Sequence, residues 1–395
     1  MSDIKRLIHH LSVGCAAHDF ASDPRKESSL SAVINPADMR ASFAAALDGG
    51  LAEIELGALV ALCANIQSHR NTEMFSEILL GLSEAIRERS MPIACARYAY
   101  SSVVIPNYGE SNRGNAIPLI AIKLQRMGIR VLVHGALETP GGLANCGVFR
   151  ELGVLPVTTR GQAERRLAED GLALVPTSLI SPGLAAMMAL KARLGVCTPA
   201  HLLADMLMPV LIEPAQTLHV LNIPVWLSAL ADSESVVMQT PTLFSSSVDV
   251  TGCKFGSLDS RPQLKYRAGL DAQPREDSGD TVGSRAEDSD RGGSRSTDAQ
   301  GWQTLFQEEM ESRADVVSFA GRDPLKTSHS RWVATAIPTD PRGLAAWTRQ
   351  RLDANVALPQ PVVNQLACCL YGAGYADDFN QAKAMAAVET GSLAA

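Results

Sequence analysis

The chain has little that would fix its chemistry by motif. Its eight cysteines (Cys15, Cys63, Cys95, Cys146, Cys197, Cys253, Cys368 and Cys369) include no CxxC pair, and the only adjacent pair lies in an apolar helical pattern. Such scatter excludes a disulfide framework and a thiolate zinc site, and reads as reduced, buried thiols. No histidine spacing joins them to a metal. No apolar run reaches the roughly 18 residues that cross a bilayer. The first ten residues, MSDIKRLIHH, lack the apolar core of a secretion signal. The expected compartment is the cytoplasm, with no membrane partner. No zinc-finger spacing, recognition-helix pattern or RNA-binding aromatic motif occurs. Residues 271–300 contain no Ile, Leu, Phe or Met. A Ser, Gly, Asp and Arg mixture cannot bury enough surface to offset chain entropy, so disorder is predicted there.

What is present is an apolar chain, 46% hydrophobic over 395 residues, enough for a large core and two domains. Amphipathic spacing predicts helices over 39–47, 53–66 and 72–89, with short connections, as a small helical unit. Val103–Ile105 and Val131–Val133 have the length and β-branched content of buried strands. Between them, 116–127 has helical spacing. Strand, helix, strand is a right-handed crossover unit, and ligands in such sheets sit beyond the carboxyl ends of the strands. Two loops fall there. One starts Pro106-Asn107-Tyr108-Gly109-Glu110; the other starts His134-Gly135 and continues to Pro140-Gly141-Gly142. Further helices are predicted over 143–152, 160–168, 183–194 and 200–208, and strands over 172–175 and 218–220. From about Ser228 the pattern weakens. Helices over 342–352 and 361–373 close the chain, followed by a frayed tail.

The net charge of −7 argues against nucleic acid as a partner of the whole surface. Its distribution does not. Residues 121–200 carry nine cations against five acids, an excess of +4, which leaves −11 for the remainder. Lys123, Arg126 and Arg130 are predicted to form one exposed stripe, with Arg160, Arg165, Arg166, Lys191 and Arg193 in the same region of chain. Phosphate contacts ask only for Lys and Arg set along a surface. The bland alternative for each is a solvated helix face. His134 reads as a loop-holding hydrogen bonder, Tyr108 as a lid, and His201 as a helix-start residue facing the cleft.

Three stretches carry a family resemblance: AALDGGLAEIELGALVA at 45–61, the strand–HG–helix segment 131–154, and ALKARLGVCTPAHLLADMLMP at 189–209. They resemble the anthranilate phosphoribosyltransferase superfamily (glycosyl transferase family 3). VVIPNYG with NAIPLIAIKLQRMGIRVLVHG, GVLPVTTRGQAERRL and AAWTRQRLDANVALPQPVVNQLACCL are similar to its YbiB-type branch, described as nucleic-acid-binding relatives of the enzyme. The resemblance covers about 1–220 and 335–385.

It implies an α/β fold: a small N-terminal helical domain (1–95) and a mixed-sheet, phosphoribosyltransferase-like domain (96–228). A divergent insertion at 229–330 and a C-terminal part with closing helices and tail (331–395) would follow. It also implies a homodimer through the helical domain. Against the enzyme's Gly-Thr-Gly-Gly-Asp loop, this chain has Asn107-Tyr108-Gly109-Glu110. Against its Lys-His-Gly-Asn-Arg motif, His134 and Gly135 remain, but Val133, Ala136 and Leu137 replace Lys, Asn and Arg. Lys191 falls near the enzyme's acceptor-binding Arg. Cations that take up leaving-group charge are therefore lost. The expectation is a non-catalytic, sequence-nonspecific DNA-binding protein without catalytic residues, metal or cofactor. The alternative is a transferase acting on phosphoribosyl diphosphate with Mg²⁺.

Overall fold

The computed structural model describes residue 8 and residues 36–68, 72–95, 102–108, 116–137, 145–195, 198–207, 209–211, 217–224, 242–247, 261–265, 338–353, 356, 358–376 and 379–388. Helices α1 (Pro36–Leu47), α2 (Glu53–Ser68) and α3 (Thr72–Arg89) come first. Their apolar positions, among them Met39, Phe43, Leu59, Ile78, Leu82 and Ile86, are buried in one cluster. Each such side chain contributes roughly 1.5–3 kcal/mol relative to exposure. Arg89 donates to both carboxylate oxygens of Asp48, at 2.7 and 2.8 Å, and ties the end of α3 to the turn after α1.

The chain then passes through β1 (Ile93–Ala94), β2 (Ser102–Pro106), α4 (Ile117–Arg126), β3 (Val131–Gly135), α5 (Asn145–Glu151), α6 (Arg160–Glu169) and β4 (Leu172–Pro176). Four helices follow: α7 (Thr177–Ile180), α8 (Pro182–Ala189), α9 (Lys191–Leu194) and α10 (Pro199–Met206). Then come β5 (Val210–Leu211), β6 (Thr217–Pro224), β7 (Thr242–Ser247) and β8 (Arg261–Lys265). Helices α11 (Pro341–Leu352), α12 (Gln360–Gly372) and α13 (Phe379–Val388) close the chain.

Strands run in the order β4-β3-β2-β6-β7-β8, parallel except for β8, which is antiparallel to β7. A second, two-stranded parallel sheet pairs β1 with β5. Alternation along the strands divides the core. Val103, Ile105, Val131, Val133, Leu172 and Leu174 face a cluster built from α4, α5, α11, α12 and α13. Val104, Leu132, Ala173 and Val175 face a cluster built from α6 and the helical unit. This is an α/β fold with a mixed sheet and a helical unit at its amino-terminal side.

The helical unit draws on two separated stretches, because α8 packs on α1 and α10 packs on α2 and α3. Gly183 lies where a Cβ would come within 2.3 Å of the Leu47 carbonyl oxygen, so only glycine lets the start of α8 meet the end of α1 this closely.

Four expectations change. The helix expected over 183–194 is divided: Pro182 starts α8, and α9 ends on Gly195 in the left-handed region at φ 71°. The segment 229–330, expected as an insertion, supplies β7 and β8 to the sheet. The tail expected after 373 contains α13. Lys123, expected on an exposed stripe, is 4% exposed, because α4 is covered by the sheet on one side and by α11 and α12 on the other. The stretch 271–300 lies outside the described residues.

Candidate functional site

Strands β2, β3 and β4 end level with one another. Pro106 is in register with His134, and Gly135 with Pro176. Three side chains meet just beyond. Thr177 Oγ1 donates to Tyr108 Oη at 3.0 Å, and Tyr108 Oη lies 2.9 Å from His134 Nδ1. A hydroxyl oxygen both donates and accepts, so the Tyr108 phenol joins Thr177 and His134 in one buried hydrogen-bonded chain. The rings meet edge-on, with centroids 5.6 Å apart. Tyr108, His134 and Thr177 are all buried, at 2%, 0% and 2% exposure. Tyr108 is therefore a plug packed within the fold and not the lid its sequence position suggests. The backbone closes just as tightly: Asn107 N–H donates to the His134 carbonyl at 2.7 Å. A Cβ on Gly135 would lie 2.0 Å from the Asn107 carbonyl oxygen.

The described part of the two loops is Asn107, Tyr108 and 134–137; Gly109 and Glu110 lie outside it. These residues offer neither a cation nor a carboxylate. Val133 is fully buried, Ala136 half-buried, and Leu137 45% exposed. Among the described residues no group of three or more His, Cys, Asp or Glu is placed to hold a metal ion. Four of the thiols are also held away from nucleophilic chemistry. Burial pushes Cys95 and Cys146 up, Cys368 up to about 12, and Cys369 well up. His201, expected to face the cleft, instead turns back onto Thr198, its Nδ1 3.2 Å from the Thr198 amide.

The eight cations nominated from sequence do not form one surface. Lys123 is buried. Arg126, exposed at the end of α4, donates to the Leu352 carbonyl at 2.9 Å. Arg130 is half-buried just before β3, its Nη1 3.4 Å from the Gly128 carbonyl. Arg160, Arg165 and Arg166 share α6, on the opposite sheet face from α4. Arg160 donates to the Pro92 carbonyl at 2.6 Å, and Arg166 pairs with Asp170 at 2.9 Å. Arg165 is exposed, with Nε 3.4 Å from the Gly161 carbonyl. Lys191 and Arg193 lie on α9 in the helical unit, Arg193 3.7 Å from Glu53. Thr177 had no sequence signal at all; a threonine after a strand gains meaning only once three strands are known to end together.

No family model matches the chain. It is 24% identical over 338 residues to "Uncharacterized protein YbiB" of Escherichia coli strain K12, covering 85% of this chain and 88% of that protein. Among solved structures, anthranilate phosphoribosyltransferase (TrpD) from Thermus thermophilus superposes with a TM-score of 0.61 at 16% identity, covering 100% of this chain and 97% of that one. The Saccharomyces cerevisiae anthranilate phosphoribosyltransferase in complex with PRPP and Mg gives a TM-score of 0.57 at 11% identity, covering 97% and 93%. The chain thus has the anthranilate phosphoribosyltransferase fold.

Proposed function

We propose that this protein is a non-catalytic user of the phosphoribosyltransferase fold that binds nucleic acid without sequence preference. The observation that carries the first half is the Tyr108–His134–Thr177 plug. Diphosphate chemistry needs backbone amides open to the anion, carboxylates for Mg²⁺ and cations for the leaving group. The described residues at the strand ends do not fit that group. They place a buried phenol and the apolar residues 133, 136 and 137 where such contacts belong.

Nucleic-acid binding rests on the sequence resemblance drawn above; Arg126, Arg165 and Arg193 are exposed on separate parts of the molecule, so any phosphate contacts are independent of one another and not set in one groove. Each guanidinium has five donors, so one local contact leaves others for phosphate. Self-association through the helical unit belongs to the same reading, supported by Ile54 on α2, which is 86% exposed. The cytoplasm is the proposed compartment; no described helix is long and apolar enough to cross a membrane.

One preparation tests both halves. Fluorescence anisotropy with single- and double-stranded oligonucleotides should show binding at ~50 mM salt that falls steeply by ~200 mM. Phosphoribosyl diphosphate with anthranilate and Mg²⁺ should not be consumed. Absence of binding at ~50 mM salt removes the second half, and turnover removes the first.

A further inference from the structure

Helix α10 opens with Thr198-Pro199-Ala200-His201. A first helical turn leaves backbone N–H groups without intrahelical partners. The usual answer is Ser or Thr at the cap and Glu or Gln three residues on, reaching back to the cap amide. Here a histidine does the reaching. The Thr198 amide donates to His201 Nδ1 at 3.2 Å, and the Thr198 hydroxyl lies 3.1 Å from the same nitrogen. Thr198 is fully buried and His201 is 7% exposed.

An amide can only donate, so Nδ1 must present a lone pair and the ring must be neutral. A second ring proton would set two N–H groups against each other. It would also put an imidazolium at the positive end of the helix. Glutamine in this place has no proton to gain; a histidine ring has.

The surroundings give the charged ring somewhere to turn. Asp205, 2% exposed, is four residues on along the same helix, on the same face. Helix α10 also packs on β6, β2, α2, α3 and α8. Helix α8 and strand β2 carry no titratable side chain, and β6 carries His219. Helix α3 carries Glu73, Glu77, Glu84, Arg87, Glu88 and Arg89. Of these, Glu84 and Arg89 are half-buried and Arg87 and Glu88 exposed, while Ile78, Leu82, Ala85 and Ile86 enter the core. Helix α2 carries Glu53 (exposed), Glu55 (half-buried) and the buried thiol Cys63. Among the described residues, Asp205 is the buried carboxylate of this core.

We propose that His201 makes the first turn of α10 a pH-operated latch: the neutral ring caps Thr198, and the protonated ring leaves the cap for Asp205. Residues Ala200, Leu203 and Ala204 of this helix sit in the core shared by the helical unit and the sheet. Release of the cap therefore loosens the helical unit where it meets β2 and β6.

Hydrogen exchange on the full-length protein tests this, at pH 7.5 and 5.5 with intrinsic rates corrected. Protection of the amides of 198 and 200–203 should fall about fivefold on acidification, the weight of a lost cap, while 131–135 stays protected. In H201Q, protection should be the same at both pH values. Unchanged protection in the wild type, or an equal loss in H201Q, overturns the latch. Imidazole ¹⁵N shifts of the wild type give a check that needs no variant. They should report the Nε2–H tautomer at pH 7.5, and a proton on Nδ1 at that pH overturns the proposal.

Discussion

At the scale of single residues, the phenol of Tyr108 is worth more than its size. Its hydroxyl is the shared partner of Thr177 and His134, both buried. Y108F keeps the ring and removes the bridge, leaving two enclosed polar groups to be satisfied elsewhere. A loss of about 1–3 kcal/mol is expected, read as a lower denaturant midpoint at unchanged slope. A variant as stable as wild type would mean the three groups do not depend on one another. Asp48 and Arg89 make the opposite case, an exposed pair. The hydrogen bond from Arg89 holds the Asp48 carboxyl below its usual range, opposed by partial desolvation and aided by the guanidinium charge. The folded value lies below the unfolded one of about 3.9. The stabilisation is therefore full above that value and is lost as pH falls through the folded value. It is small and screened by salt, as exposed pairs are. In R89A, the Asp48 carboxyl titration followed by NMR should move up; an unmoved midpoint would assign the depression to another cause.

At the scale of elements, legibility followed burial pattern. Helix α3 and strands β2, β3 and β4 could be read from sequence because each pairs a regular apolar period with a clear stop. Strands β7 and β8 could not. TLFSSS and RPQLK are short and polar, and they take their conformation from neighbours in the sheet rather than from their own composition. The long helix expected at 183–194 divides at Leu190, which keeps helical dihedrals (φ −61°, ψ −23°), so the apolar spacing runs across the division unchanged. Exposure was the harder quantity. Lys123 has the spacing of a solvent stripe, but whether a helix flank meets water depends on what covers it. Here the covering helices, α11 and α12, start only at Pro341 and Gln360, far along the chain. The same limit applied at the candidate site. Tyr108 was recognisable as a replacement in one loop motif and His134 as a retained residue of the other, whereas their joining through Thr177 depends on the level ends of three strands. The cap on α6 is local: Thr159 accepts from the Gln162 amide at 3.2 Å, in the sequence TTRGQAERRL.

At the scale of the molecule, the division into a helical unit and an α/β unit does not describe how the core is shared. The cluster holding α1, α2 and α3 also contains Val104, Leu132, Ala173 and Val175 from the sheet, along with α8 and α10 from the middle of the chain. The helical unit has no apolar interior separate from the face of the sheet it covers. If it detached alone, that face of β2, β3 and β4 would meet water, at roughly 25 cal/mol per Å² of apolar area. Chains of this length often unfold in stages, domain by domain. Here one transition is expected for the helical unit and the β2–β4 region. Native-state exchange in rising denaturant should give amides of 78–86 and of 131–135 the same opening free energy and the same slope. G183A supplies the complementary perturbation, because its Cβ strikes the Leu47 carbonyl at 2.3 Å and wedges α8 away from α1. It should lower both sets together by about 1–3 kcal/mol, the usual cost of overpacking. If G183A lowered only 78–86 and left 131–135 at its wild-type value, the two units would be energetically separate, and a shared core would not be what fixes the helices to the sheet.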